Sequence, residues 1–156
     1  MDIITAQRLS KSYGDNTVLN DMYFTLPKGE VIGLFGPNGC GKTTLMKILT
    51  GLIHDYDGSV LINGNVPGEK TKAFTAYLPE QTFVHDWMRN IDAVDYFNDF
   101  FTDFDKNKAL EMLKKFGLPE KQKSKTMSKG MLEKLLLSLV MSRKAEVYIL
   151  DEPMGG

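Results

Sequence analysis

Gly36-Pro37-Asn38-Gly39-Cys40-Gly41-Lys42-Thr43-Thr44 is the stretch of sequence that decides the fold. An apolar run, Val31 to Phe35, precedes it, and a helix-like segment, Leu45 to Leu49, follows it. A strand, a glycine-rich loop and a helix in this order form the context of a phosphate-binding loop, and an ordinary glycine turn is the alternative. Glycines allow consecutive N–H groups and the positive end of the helix to face polyphosphate oxygens. The stretch therefore predicts nucleotide binding, in which Lys42 reaches the β- and γ-phosphates and Thr43 ligates Mg²⁺.

Size, charge and cysteine usage narrow the classes of function. With 156 residues the chain has the size of one domain, and its net charge of −1 offers no general attraction to nucleic acid. One Cys excludes an internal disulfide, and the isolated His54 and His85 form no metal-binding cluster. The apolar runs are shorter than a membrane span, and the N-terminus lacks a basic region followed by an apolar one. We therefore expect a cytoplasmic protein, no nucleic-acid partner, and a metal only together with the nucleotide.

Changes in periodicity divide the chain into three parts of a single α/β domain over residues 1–156. Residues 1–85 carry apolar runs separated by turn signals, which predict a β layer and the phosphate-loop core. Residues 86–142 change to helical spacing, which predicts an α-helical insertion, and residues 143–156 begin with a further buried strand. The strands expected in the first part are Ile3 to Leu9, Val18 to Leu26, Ser59 to Ile62 and Ala73 to Leu78.

A second nucleotide motif lies near the end of the sequence. The apolar run Val147 to Leu150 is followed by Asp151 and Glu152, so a buried strand delivers two carboxylates beside the phosphates. We expect Asp151 to hold Mg²⁺, usually through water, and Glu152 to polarise the attacking water. An exposed charge at the strand end is the alternative for Glu152.

Between these motifs lies a segment that carries a family resemblance. Met127-Ser128-Lys129-Gly130-Met131 stands just before a helix, with Ser128 as its candidate N-cap. Here the chain resembles the ATP-binding cassette (ABC) ATPases, whose signature Leu-Ser-Gly-Gly-Gln opens a helix in the same place. Ser128 and Gly130 match the signature, whereas Lys129 and Met131 depart from it. The resemblance implies that Ser128 and Gly130 face the γ-phosphate bound to the opposing subunit.

Other positions fit the same family. Tyr13 falls where these ATPases place an aromatic ring against adenine, a contact of about 1–3 kcal/mol by analogy with base stacking. A loop aromatic without that role is the alternative. Tyr77-Leu78-Pro79-Glu80 resembles a loop that normally ends in Gln and touches Mg²⁺. Glu80 holds that position here and Gln81 follows it, so either residue is a candidate for the role.

The resemblance also implies a partner. The insertion from Asp86 to Gly117 looks most like that of bacterial exporter ATPases, which pair with separately encoded membrane permease subunits and act as dimers. The family docks its transporter beside the Glu80 loop, so we expect Trp87 and Met88 to face the membrane partner, with core packing as the alternative. This arrangement places the protein on the inner face of the cell membrane. The transported substrate is not readable from these residues.

The implied fold is a P-loop NTPase core of ABC type with an N-terminal antiparallel β layer. Members of the family continue after Asp-Glu-Pro with further strands and a His that contacts the γ-phosphate, so we expect a truncated gene, an incomplete sequence or a deliberate fragment. The expected function is ATP binding and hydrolysis with Mg²⁺ to drive an exporter. A non-hydrolysing ATP-binding fragment and a soluble ABC protein outside transport are the alternatives. A GTPase is disfavoured, because no Asn-Lys-x-Asp motif occurs.

Overall fold

The computed structural model describes residues 1–151, which fold as two compact units. The first unit comprises residues 1–73, and the second begins at Phe74. Each unit has its own sheet. The two units are therefore described separately.

The first unit is built on an antiparallel sheet of three strands. The strands are β1 (Asp2–Tyr13), β2 (Asn16–Pro27) and β3 (Asp57–Ile62), in the order β2-β1-β3. Ile4 lies opposite Leu26 of β2 and opposite Ile62 of β3. Because successive side chains point to opposite faces of a strand, Ile4 and Ala6 are buried while Gln7 between Ala6 and Arg8 is exposed. The alternation is interrupted at Arg8, which has a φ of 54° and lies where the strand register shifts. The β layer predicted from the sequence is confirmed, with longer strands than expected.

Two helices complete the first unit. Helix α1 (Lys42–Leu49) buries Leu45, Ile48 and Leu49, which recur at helical spacing. Gly51 follows the helix with a φ of 66°, and a Cβ there would come within 2.7 Å of the Gly68 amide nitrogen. Only glycine suits that turn, so the helix ends before it. The short helix α2 (Glu69–Lys72) was not predicted, because four residues carry too little periodicity.

The segment Val31 to Phe35 differs from the sequence prediction. We expected a strand, but these residues form neither strand nor helix, and Phe35 is 92% exposed. The Phe35 ring folds back over Gly33, where a Cβ would lie 2.5 Å from a ring carbon. A strand requires a partner for its N–H and C=O groups, and residues 1–151 provide none for this run. The apolar pattern identified a segment able to pair, whereas pairing depends on a second strand.

The second unit combines a two-stranded parallel sheet with three longer helices. Strand β4 (Thr75–Leu78) pairs in register with β5 (Val147–Leu150), so that Thr75 lies opposite Val147 and Leu78 opposite Leu150. The helices are α3 (Asn90–Phe100), α4 (Lys106–Lys115) and α5 (Lys129–Met141), and a 3₁₀ turn spans Ser124–Thr126. Parallel strands need a long crossover, and here the helices supply it. The helical insertion predicted between the two strands is therefore confirmed.

One apolar cluster joins the helices and the sheet of the second unit. Its buried members come mainly from β4 and the three helices, and Tyr148 and Leu150 of β5 pack against them. The buried members include Ala76, Leu78, Val94, Phe97, Leu113, Leu135 and Leu139. The guanidinium of Arg143 reinforces the joint by donating to the Asp103 carboxylate at 3.0 Å and to the Thr75 carbonyl oxygen at 3.0 Å. The loop between α3 and α4 is thereby tied to β4.

The aromatic residues of this unit divide between core and surface. Phe97 and Phe104 are buried, whereas Tyr96 and Phe100 are exposed and stack on each other at 5.9 Å between ring centroids. Trp87 is exposed, but Met88 is buried in the apolar cluster. Of the two residues expected to face a partner, Met88 therefore packs in the core, the alternative that the sequence left open. None of the helices within residues 1–151 combines the length and the apolar character that crossing a membrane requires.

Candidate functional site

The phosphate-binding loop holds its lysine against its own backbone. The Lys42 ammonium donates to the carbonyl oxygens of Gly36 at 2.7 Å and Pro37 at 2.8 Å, and lies 3.9 Å from the Cys40 sulfur. These neutral carbonyl oxygens are weaker acceptors for an ammonium than the charged oxygens of a phosphate. The cation is thus positioned at the loop in contacts that a phosphate can replace.

Two glycines set the path of the loop. Gly39 and Gly41 have φ values of 80° and 97°, a region that side chains with a Cβ rarely adopt. A Cβ on Gly41 would also lie 2.8 Å from the carbonyl oxygen of Val18 and 2.9 Å from the side chain of Leu19. The loop therefore passes so close to β2 that glycine is required at position 41 for both torsion and space.

The loop ends at the N-terminus of α1, where backbone donors are available. Gly41 is the N-cap and offers no side chain, while its carbonyl oxygen accepts from the Leu45 amide at 2.8 Å. The first N–H groups of a helix have no intrahelical acceptor, and they favour an anion. Lys42, Thr43 and Thr44 form this first turn and are half-buried, whereas the loop residues up to Cys40 are exposed. The predicted ligands thus form one continuous stretch, an exposed loop followed by a half-buried helix start: Gly36, Pro37, Asn38, Gly39, Cys40, Gly41, Lys42, Thr43 and Thr44.

Tyr13 stands at the end of β1 beside a buried lysine. Its side chain is 50% exposed, and the Lys11 ammonium lies over its ring, 4.9 Å from the centroid. Lys11 also donates to the Asp55 carboxylate at 2.9 Å. We did not single out Lys11 from the sequence, although its position two residues before Tyr13 on a strand places both side chains on the same face.

The strand ends of the second unit carry the predicted metal ligands. Asp151 is 2% exposed, its amide donates to the Leu78 carbonyl oxygen at 2.9 Å, and its Oδ2 has no hydrogen-bond partner in the described part of the chain. Glu80, two residues beyond β4, is exposed, as is Gln81. Burial, together with the negative charges of Asp151 and Glu80, raises the pKa of Tyr77 to about 12. Asp151 and Glu80 therefore act on the same phenol, at the carboxyl ends of β4 and β5.

The donor set at this edge suits magnesium. Mg²⁺ binds through one or two carboxylates together with phosphate oxygens and waters. A buried carboxylate oxygen without a partner is costly unless something occupies it, so Asp151 fits that role. Residues 1–151 contain no group of three or more His, Cys, Asp or Glu side chains arranged to hold a metal unaided.

Ser128 and Gly130 open helix α5. The Ser128 hydroxyl accepts from the Met131 amide at 3.2 Å, which confirms the predicted N-cap. A Cβ on Gly130 would meet nothing within 4 Å. Both residues are exposed. The chain itself therefore places no steric demand on Gly130.

The predicted site residues fall in both units. Tyr13 and the phosphate-binding loop belong to the first unit, and Glu80, Ser128, Gly130 and Asp151 belong to the second. Within the second unit, Glu80 and Asp151 share a strand edge, whereas Ser128 and Gly130 start a helix. Glu152, the expected catalytic carboxylate, lies outside the described residues.

Comparisons with known proteins agree with this architecture. Residues 19–155 match the ABC transporter family. The chain is 32% identical to the ABC transporter ATP-binding protein YtrB of Bacillus subtilis over 99% of its length, and 34% identical to the lantibiotic transport ATP-binding protein SrtF of Streptococcus pyogenes, also over 99%. It spans 53% of YtrB and 68% of SrtF.

A solved structure extends the agreement to the backbone. An ABC transporter ATP-binding protein from Pyrococcus furiosus superposes with a TM-score of 0.83 at 31% identity, covering 96% of this chain and 75% of that one. The sequence match covers the loop, the signature helix and the Asp151 strand together. The chain therefore belongs to the ABC transporter family, in which it matches the ATP-binding proteins.

Proposed function

We propose that the chain binds and hydrolyses ATP with Mg²⁺ and thereby drives a separate membrane permease subunit of an exporter. The observation that carries the proposal is the loop from Gly36 to Thr44, in which Gly39 and Gly41 have positive φ values and Lys42 donates to carbonyl oxygens of the loop. Membership of the ABC transporter family supports the proposed role in transport.

Each site residue has a role in this proposal. The loop N–H groups and Lys42 bind the phosphates, and Tyr13 stacks on adenine. Thr43, Asp151 and Glu80 are proposed as Mg²⁺ ligands; the ion, when bound, neutralises charge on the phosphate oxygens. Ser128 and Gly130 are assigned to the γ-phosphate held by an opposing subunit, which is a second copy or a paired ABC subunit.

Hydrolysis requires a group that orients water in line with the γ-phosphate. Glu152 follows directly after Asp151 in the sequence. A carboxylate in that place accepts a proton from water or holds it by a hydrogen bond. We therefore assign the catalytic role to Glu152, with Lys42 stabilising the charge on the transferred phosphoryl group.

The membrane partner and the exporter role rest on two supports. SrtF is named for lantibiotic transport, and another similar protein, SkfE of Bacillus subtilis, is named for export of the SkfA peptide. The second unit presents exposed aromatic side chains near the Glu80 loop, including Phe83 and Trp87. Exposed aromatic residues suit an interface with a protein partner. Such a partner would hold this chain at the inner face of the membrane, and co-purification with the product of a neighbouring membrane-protein gene tests it.

Lys42→Ala tests the central claim. The variant should weaken Mg-ATP binding by about 10-fold or more, because it removes a charge-assisted contact of about 1.5–3 kcal/mol. Lys47→Ala is the matched control, since Lys47 is an exposed lysine of the same helix beyond the loop. Calorimetric titration of the complete gene product with Mg-ATP measures both.

The control separates the loop contact from general charge. If Lys42→Ala and Lys47→Ala reduce the affinity for Mg-ATP equally, Lys42 acts through the overall electrostatic field of the protein. The role assigned to it in the loop is then wrong. If the unaltered protein binds no ATP, the proposed function itself is overturned.

A further inference from the structure

Lys11 is a cation in an unusual place. Its side chain is only 7% exposed, whereas the carboxylate of Asp55, with which it pairs at 2.9 Å, is fully exposed. Removing an ammonium from water is unfavourable unless strong partners compensate, and a pair with a fully solvated carboxylate is a weak one. The Asp55 pair therefore leaves the position of Lys11 only partly explained.

The second contact of Lys11 is the ring of Tyr13. The ammonium lies over this ring at 4.9 Å from the centroid, within the distance at which a cation is attracted to an aromatic face. Lys11 and Tyr13 are separated by one residue on β1, so both side chains project from the same face of the strand. One face of the ring is thus occupied by the cation, while half of the side chain remains exposed.

Asp55 is the third residue of this cluster and contacts Lys11. It lies in the segment between α1 and β3, and its carboxylate accepts a hydrogen bond from the ammonium that lies over the ring. A ring held in one orientation binds a planar partner with less loss of side-chain freedom than a ring that rotates. An exposed aromatic without such support would have to be ordered each time the partner bound.

We propose that Lys11 is a positioning residue for the nucleotide base, which holds the Tyr13 ring in the orientation that stacks on adenine. The inference rests on the proposed ATP binding and extends it to a residue that does not touch the nucleotide. It assigns to Lys11 an effect on base recognition and none on phosphate binding.

Lys11→Met removes the cation and keeps an unbranched chain of similar length in the buried position. We expect the affinity for Mg-ATP to fall about 2- to 10-fold, the range that ordering one side chain on binding produces. Affinity for inorganic tripolyphosphate, which has no base, should stay the same. Lys11→Arg keeps a cation that stacks on aromatic rings, so it should restore ATP affinity to within about 2-fold of the original.

The experiment is calorimetric titration of the complete gene product and its variants with Mg-ATP and with Mg-tripolyphosphate. Lys70→Met is the matched control, because Lys70 is an exposed lysine of the same unit. Thermal unfolding of each variant shows whether the fold is retained. Asp55→Asn is a second test of the ring's position, because it weakens the contact to the ammonium without altering Lys11. It should reduce ATP affinity by less than Lys11→Met does.

The outcomes separate this inference from the proposed function. A selective loss of ATP affinity with Lys11→Met, rescue by Lys11→Arg and no change with Lys70→Met support the positioning role. If Lys11→Met weakens ATP and tripolyphosphate equally, or leaves ATP unaffected, Lys11 is structural and the inference is wrong although ATP binding stands. If the unaltered protein binds tripolyphosphate and ATP with equal affinity, base stacking is absent and the inference also fails. Absence of binding to either probe overturns the proposed function and the inference with it.

Discussion

Two apolar runs precede the two nucleotide motifs, and they behave differently. Val147 to Leu150 forms β5, which pairs residue by residue with β4 and buries Val147 and Ile149. Val31 to Phe35 has the same apolar character but forms no strand, and its side chains are exposed. The sequence signal was equivalent, so the difference lies in the partner. A strand is a property of a pair of segments, and the pattern of one segment predicts only its ability to pair.

The difference extends to the motif that follows each run. The phosphate-binding loop after Phe35 keeps its form because the torsions of Gly39 and Gly41 are local properties. Asp151 is placed instead by pairing, since its amide bonds to Leu78 of the neighbouring strand. The loop therefore depends on residue identity, whereas the carboxylate depends on the sheet.

The largest effect is expected at the strand-end motif. Glu152→Gln in the complete gene product should lower the turnover of ATP by about 10²- to 10⁴-fold and leave ATP affinity nearly unchanged, because the amide keeps the shape but not the basicity of the carboxylate. Phosphate release measures turnover, and calorimetric titration measures affinity. Unchanged turnover would show that Glu152 is not the catalytic carboxylate. Asp99→Asn, at an exposed acidic residue of α3, is the control for the loss of one negative charge.

The comparison of the two runs is tested directly by a matched pair of substitutions. Ile149→Ala in β5 should lower the free energy of unfolding by about 2–5 kcal/mol, because it removes a buried side chain from a packed core. Ile32→Ala should change it by about 0.5 kcal/mol or less, since Ile32 is 47% exposed and belongs to no sheet. Urea denaturation of residues 1–156 measures both.

Equal destabilisation by the two substitutions would break the comparison. It would show that the run from Val31 to Phe35 is packed as firmly as β5 when the chain is in solution. A larger loss in the free energy of unfolding with Ile149→Ala than with Ile32→Ala would show that pairing, and not apolar character, gives the strand its contribution to stability.

Gly41→Ala tests whether the loop is set locally. The substitution forces a Cβ into a left-handed conformation and against the Val18 carbonyl oxygen, so it should cost about 1–3 kcal/mol of stability and weaken ATP binding. Gly14→Ala is the matched control, because Gly14 also has a positive φ of 57° but a Cβ there meets nothing within 4 Å. A loss with Gly41→Ala no greater than with Gly14→Ala would show that the close approach to β2 is relieved in solution.

Much of this molecule was predictable because its signals are local. Glycine spacing located the loop, Ser128 was identified as a helix N-cap, and the turn signals between two apolar runs located β1 and β2. Burial of Met88 and the pairing of Lys11 with Asp55 depend on which segments pack together, and a single residue's chemistry does not specify that. The conformation of Val31 to Phe35 was not predictable for the same reason, because a pairing strand is set by the fold and not by the segment's own pattern.

The smallest effect on stability is expected at the glycine that no local feature requires. A Cβ on Gly130 meets nothing in the described residues, and Gly130 lies in the first turn of α5. Gly130→Ala should therefore leave the free energy of unfolding unchanged or raise it by up to about 1 kcal/mol, because alanine favours helix more than glycine does. If Gly130 faces the nucleotide of an opposing subunit, the same substitution should weaken the ATP-dependent dimer.

Sedimentation of the complete gene product with ATP, in the Glu152→Gln background that prevents turnover, measures the dimer. Denaturation measures the stability of the same variant. A weaker dimer together with unchanged stability would assign the glycine to a partner surface, in contrast to Gly41, which the chain's own path requires. A dimer as tight as that of the parent would show that Gly130 has no role at the opposing nucleotide, because the added methyl group would then meet open space there as it does within the chain.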